Sequence, residues 1–217
     1  MDAGCWRRRL ITCAAVLGWA GLGIQLYLIF FARLSVGASL LGGLVSFFSY
    51  FTILTNILAV FCYAALLSRG ESGVLRFFRD PRVVSGVLVY IIIVGLIYFT
   101  ILRHTWTPEG LWKIADESLH YVAPVFFALH WLFFLRKGET GAWQLLLWQI
   151  FPLAYLAYVM TRGALTGTYP YPFIDAAALG YPTAIRNIAM MIGFFVLMSA
   201  LVITLDKLFA RARLKVA

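Results

Sequence analysis

Charge and cysteine are both scarce in this chain, and each shortage excludes something. Only 12% of its 217 residues are charged and 63% are hydrophobic, whereas soluble domains are about a quarter charged and about half apolar. With a mean hydropathy of +0.89, the composition is that of an integral membrane protein. The three cysteines, Cys5, Cys13 and Cys62, are odd in number, lie in or beside apolar segments and show no CxxC spacing. Neither a disulfide framework nor a zinc site follows from them. Acids are absent from the depths of the first three apolar segments, and Asp116, Glu117 and Asp206 fall toward segment ends. An ion-coupled carrier, which needs ionisable groups near the midplane, is therefore disfavoured, while passive passage or binding of a lipid stays open as an alternative. The two halves of the chain show no repeat, because Pro124 and Pro152 have no counterparts in the first two segments.

What is present is a series of apolar runs separated by short basic stretches. Arg7-Arg8-Arg9 precedes a run over about 10–32, which at roughly 23 residues exceeds a signal-peptide core and is long enough to span. Further runs cover about 44–67, 83–102, 116–135, 143–165 and 184–209. The fold expected is all-α, a polytopic bundle of six transmembrane helices forming one domain over 1–217. The fourth helix has an early alternative start, since Thr107-Pro108-Glu109 has a helix-start pattern with proline in the first turn.

The net charge of +9 does not mark a nucleic-acid surface. Its cations sit in short runs that read as topology signals and headgroup contacts. Of the 18 basic residues, 13 fall in the N-terminus, the second and fourth loops and the C-terminus; the other side keeps Arg33, Arg103, Lys113, Arg162 and Arg186. The positive-inside rule then places both termini in the cytoplasm and the odd-numbered loops outside.

Three polar features interrupt this apolar pattern. In the second segment, Ser49, Thr52, Thr55 and Asn56 fall on one face at about 100° per residue. Hydrocarbon cannot satisfy such groups, so they face other helices, as interhelical glue or as a site. In the fourth segment His120 precedes Pro124. The proline lacks the N–H that would bond the His120 carbonyl, which frees that carbonyl and bends the helix. His130, deeper in the same segment, reads as a packing residue. The fifth loop, Thr166 to Thr183, is rich in Tyr and Pro and reads as a lid. Beyond it Arg186 either snorkels, pairs with Asp175 or binds a carboxylate; Arg186, Tyr171 and Asp175 are the candidates to contact substrate.

Tyr50-Phe51-Thr52-Ile53-Leu54-Thr55-Asn56, Leu119-His120-Tyr121-Val122-Ala123-Pro124 and Tyr169-Pro170-Tyr171-Pro172-Phe173-Ile174-Asp175 resemble the bacterial relatives of the androgen-induced, six-span membrane hydrolase family. The resemblance covers nearly the whole chain and implies a protein of the bacterial cytoplasmic membrane. It implies hydrolysis of fatty acid esters of hydroxy fatty acids or similar lipid esters by a threonine nucleophile and a histidine, roles that fall on Thr52 and His120. The chain departs from the animal members around Thr55-Asn56, where they carry an acidic residue near the threonine.

The same pair is reasonable on chemical grounds alone. A threonine hydroxyl needs a base within hydrogen-bond reach, and neutral imidazole is suited to that near pH 7. Asn56 and Ser49 are the candidates to orient the histidine or to bind the developing oxyanion. No metal or other cofactor is expected, and the partners expected are a lipid ester and membrane lipids. A metal-dependent membrane enzyme is the remaining alternative, because Glu117 and His120 have the Glu-x-x-His spacing of di-iron bundles, though that motif is needed twice and occurs once.

Overall fold

The computed structural model describes residues 3–214. Lys215 and the side chain of Arg213, counted above among the cytoplasmic cations, lie outside the described residues. Helices are the only regular structure among them, with no strand. The chain divides into two compact units, residues 1–136 and 137–217.

In the first unit, α1 (Ala3–Ser35) is followed by α2 (Leu40–Phe47) and α3 (Phe51–Leu67), then by α4 (Gly73–Arg79) and α5 (Pro81–Thr100). Asp80 starts α5 by accepting a hydrogen bond from the Arg82 amide at 2.8 Å, with Pro81 in the first turn. A 3₁₀ turn (Leu102–His104) leads to α6 (Gly110–Glu117), a π turn (Ser118–Val122) and α7 (Ala123–Phe134), which follow one another without a gap. The start at Gly110 is nearer the early alternative of the sequence reading than Asp116. Helix α1 packs against α3, α6 and α7, and α5 packs against α3 and α7.

One expectation fails here: 44–67 is not a single straight helix. Helices α2 and α3 meet at 74° across the break Phe48–Tyr50. The break contains neither proline nor glycine. The Ser49 hydroxyl donates to the Val45 carbonyl at 2.5 Å, the acceptor that its own amide would use in a continuing α-helix. That amide turns instead to Ser46 O at 3.1 Å, and Tyr50 is extended at φ −92°, ψ 126°. A serine hydroxyl bonded back to the carbonyl four residues earlier is a known cause of helix bending. Ser49 therefore leaves the polar face of α3, and Thr52 sits in the first turn of α3 rather than two turns into a longer helix.

Buried Leu22, Phe47, Ile53, Val60 and Leu119 form an apolar cluster at the junction of α1, α2, α3 and the π turn. In lipid such contacts are driven by close packing more than by water exclusion, and the glycines show it. A Cβ at Gly21 of α1 would lie 3.1 Å from Ser118 Cβ, and one at Gly95 of α5 would lie 3.2 Å from the His120 carbonyl oxygen. The π turn is thus held between two helices at positions where any side chain larger than glycine's would press on it.

The second unit holds α8 (Gln144–Leu147), α9 (Ile150–Thr166), a 3₁₀ turn (Pro172–Ile174), α10 (Ala176–Leu179) and α11 (Tyr181–Leu214). Four of its buried polar residues pair with one another. Asp206 accepts from the Thr140 amide at 3.1 Å and hydroxyl at 2.7 Å, and Gln149 donates to Ser199 Oγ at 3.1 Å.

Among the described residues four helical stretches are long and apolar enough to cross a membrane: Gly4–Ser35, Pro81–His104, Gln144–Thr166 and Tyr181–Ala212. The bent pair α2 and α3 makes a fifth if it is one span. The protein is all-helical, with several helices fit for a bilayer.

Candidate active site

Thr52 and His120 come together. Thr52, 7% exposed, presents Oγ1 at 3.3 Å from His120 Nε2. They are 68 residues apart in sequence, joined by the packing of α3 against the π turn. The turn contributes directly, because the Ala123 amide reaches back to Ser118 O, five residues, which adds a residue to the turn and re-aims the side chains around it.

The other ring nitrogen is equally well placed. His120 Nδ1 lies 2.9 Å from the Asp116 carbonyl oxygen and 3.2 Å from Asp116 Oδ1. A carbonyl and an ionised carboxylate can only accept, so the imidazole proton belongs on Nδ1. Nε2 is left with its lone pair toward the threonine hydroxyl. Asp116, 5% exposed, has its second carboxylate oxygen, Oδ2, bonded by the Tyr98 hydroxyl of α5. The Tyr98 ring lies flat against the imidazole, with centroids 4.0 Å apart and planes 18° apart. All four side chains belong to the first unit.

Asn56 and Ser49 both bond to backbone carbonyls. Asn56 is fully buried, and its Nδ2 donates to Thr52 O at 2.8 Å and to Leu119 O at 3.2 Å. Two carbonyl acceptors fix the amide orientation, and its Oδ1 has no hydrogen-bond partner. The residue ties α3 to the backbone beside His120 without touching the imidazole. Ser49 makes the helix break. Its hydroxyl donates to Val45 O.

Asp175 caps α10, with Oδ1 accepting from the amides of Ala177 at 3.0 Å and Ala178 at 3.1 Å. Among the described residues no ion pair joins it to Arg186, which is exposed. Tyr171 is buried, stacked on Phe173 at 5.3 Å. These three residues belong to the second unit. His130 is buried beside the rings of Tyr63 and Phe134, which fits a packing residue.

Glu117, the acid of the Glu-x-x-His spacing, points to Lys113 at 3.9 Å. Among the described residues no three His, Cys, Asp or Glu side chains gather as metal ligands. The sequence reading missed Asp116 and Tyr98 as site residues. Asp116 stands four residues before His120, the helical spacing for contact, and that spacing was a usable signal. Tyr98 gives no such signal, since only tertiary packing brings α5 to the histidine. Compared with known protein families, curated proteins and solved structures, the chain matches none.

Proposed function

We propose that the chain is a membrane-embedded hydrolase of lipid esters, with Thr52 as nucleophile, His120 as base and Asp116 orienting the imidazole. The observation that supports this most is the continuous contact Thr52 Oγ1, His120 Nε2, His120 Nδ1, Asp116 Oδ1, at 3.3 and 3.2 Å. A nucleophile, a base and an orienting acid in that order make up the general pattern of an activated hydroxyl. The 3.3 Å gap is the looser kind found before substrate binds.

In the reaction, Thr52 Oγ1 bonds to the ester carbonyl carbon while its proton passes to Nε2. The alcohol leaves as the C–O bond breaks, taking that proton. A water molecule then attacks the acyl-threonine with Nε2 again accepting the proton, and the acid and Thr52 hydroxyl are released. The imidazolium formed in each step lies beside the Asp116 carboxylate.

The orientation proposed has both termini in the cytoplasm and six spans, with α6, the π turn and α7 together as the broken fourth span. The cytoplasmic membrane of a bacterium is the proposed location. Thr52, in the first turn of α3, then lies near the outer end of its span, and an apolar ester reaches it laterally from the outer leaflet. The substrate class proposed is the one that the family resemblance implies, fatty acid esters of hydroxy fatty acids or similar esters. Purified protein in detergent, assayed on such esters and treated with a fluorophosphonate, tests the reading. Turnover with a covalent adduct on Thr52 supports it, and neither turnover nor adduct refutes it.

A further inference from the structure

We infer that Tyr98 is a positioning residue that holds His120 in one tautomer and one ring orientation, acting through Asp116 and through its own ring. The inference rests on the hydrolase reading for its kinetic consequence, but its structural content stands apart from it.

Two contacts carry it. The Tyr98 hydroxyl donates to Asp116 Oδ2, so the far oxygen of a carboxylate only 5% exposed is satisfied and Oδ1 stays turned to His120 Nδ1 at 3.2 Å. A buried carboxylate with one oxygen unpaired would rotate toward any available donor or take up a proton, and either change removes one of the two acceptors that keep hydrogen on Nδ1, leaving only the Asp116 carbonyl at 2.9 Å. The second contact is the flat stacking of the ring on the imidazole at 4.0 Å. Stacking blocks rotation of the imidazole out of its plane, and rotation is what would swing Nδ1 away from Asp116 and Nε2 away from Thr52. The ring face also favours a cation beside it, which is the state that His120 reaches when it takes the threonine proton.

Tyr98 itself is buried, 5% exposed. It stands three residues after Gly95 on α5, the glycine pressed against the His120 carbonyl. One face of α5 thus fixes both backbone and ring of the histidine. Tyr121 meets Tyr98 edge to face at 5.3 Å and 86°, which restricts the tyrosine in turn.

The test uses the full chain in detergent micelles with ¹⁵N-labelled histidine, the His120 signal being identified by its loss in His120→Gln. The wild type is expected to show His120 as a single Nδ1–H tautomer. Tyr98→Phe, which keeps the ring and loses the hydroxyl, and Tyr98→Leu, which loses both, are expected to show mixed tautomers. Kinetically, Tyr98→Phe should lower kcat about tenfold and Tyr98→Leu about a hundredfold with KM little changed, since the hydrogen bond lost is to a charged group. If both variants keep the wild-type tautomer signal, the inference is overturned whether or not the protein hydrolyses esters. If the tautomers mix but the wild type has no esterase activity and no Thr52 adduct, the positioning role stands and the hydrolase reading fails. Should Tyr98→Leu not fold, Tyr98→Phe decides.

Discussion

Gly95 and His120 meet closely enough to crowd any side chain at residue 95: a Cβ there would lie 3.2 Å from the His120 carbonyl oxygen and 3.2 Å from Pro124 Cγ. Proline at 124 has no amide to offer that carbonyl, which lies instead against Gly95 of α5. Alanine is the better helix former by about 1 kcal/mol, yet here it should push the π turn by a few tenths of an ångström. Misplacement of catalytic groups on that scale is expensive. Gly95→Ala should therefore lower hydrolysis about tenfold while the thermal unfolding temperature stays near that of the wild type. Full activity in this variant would mean that the position of the turn does not set the reaction.

Asp116→Asn keeps size and loses the charge. Its amide can turn a donor toward Nδ1, which leaves the residue 116 carbonyl as the one acceptor favouring hydrogen on Nδ1 and so weakens the tautomer that gives Thr52 an acceptor. Turnover should fall at least about a hundredfold with KM little altered, and fluorophosphonate labelling of Thr52 should slow in parallel. A rate within twofold of wild type would remove Asp116 from the site.

Asn56 and Thr52 can be separated by the kind of damage they cause. Asn56 Nδ2 holds Thr52 O and Leu119 O, so Asn56→Ala should cost about 1–2 kcal/mol of stability and lower the rate only modestly. An oxyanion donor behaves in the opposite way, losing about a hundredfold or more in kcat with stability intact. Thermal unfolding in detergent beside steady-state kinetics distinguishes the two.

The apolar helices were legible because hydropathy alone marks a segment for a bilayer, and Thr52 and His120 were legible as polar groups with nowhere apolar to go. The break between α2 and α3 was not. Phe47 to Phe51 contains no proline or glycine, and the bend arises from a single serine hydroxyl taking its carbonyl from the helix. Asp116 was read as an acid near the outer surface. Its four-residue spacing to His120 was overlooked in favour of the three-residue spacing of Glu117, which the structure turns toward Lys113. Asp175, followed by three alanines, carries an ordinary helix-capping pattern, and its Oδ1 caps α10.

Orientation can be checked by thiol labelling on intact cells. Cys5 and Cys13 are exposed and Cys62 is buried, so all three are first replaced by alanine. The 13 to 5 division of basic residues then predicts that Thr168→Cys reacts with an impermeant maleimide and Glu71→Cys does not. The reverse pattern would place the Thr52 end of α3 on the cytoplasmic leaflet.

The sharpest test of the site is whether Thr52 and His120 act as one unit. With Oγ1 and Nε2 3.3 Å apart, removal of either leaves the other nothing to do: a threonine without a base is a poor nucleophile, and an imidazole without the hydroxyl has no proton to take. Thr52→Ala and His120→Ala should each abolish most turnover, about a thousandfold or more, and the double variant should be little worse than either single one, because members of a catalytic unit are not additive. Thr55 supplies the control. It is fully buried on the same helix and its Oγ1 has no hydrogen-bond partner, so Thr55→Ala should leave the rate within a few-fold of wild type. Mass spectrometry should find the fluorophosphonate on the peptide containing Thr52 and lose it in Thr52→Ala. Additive losses in the double variant, or a label that persists without Thr52, would separate the two residues and end the assignment even in a protein that hydrolyses esters.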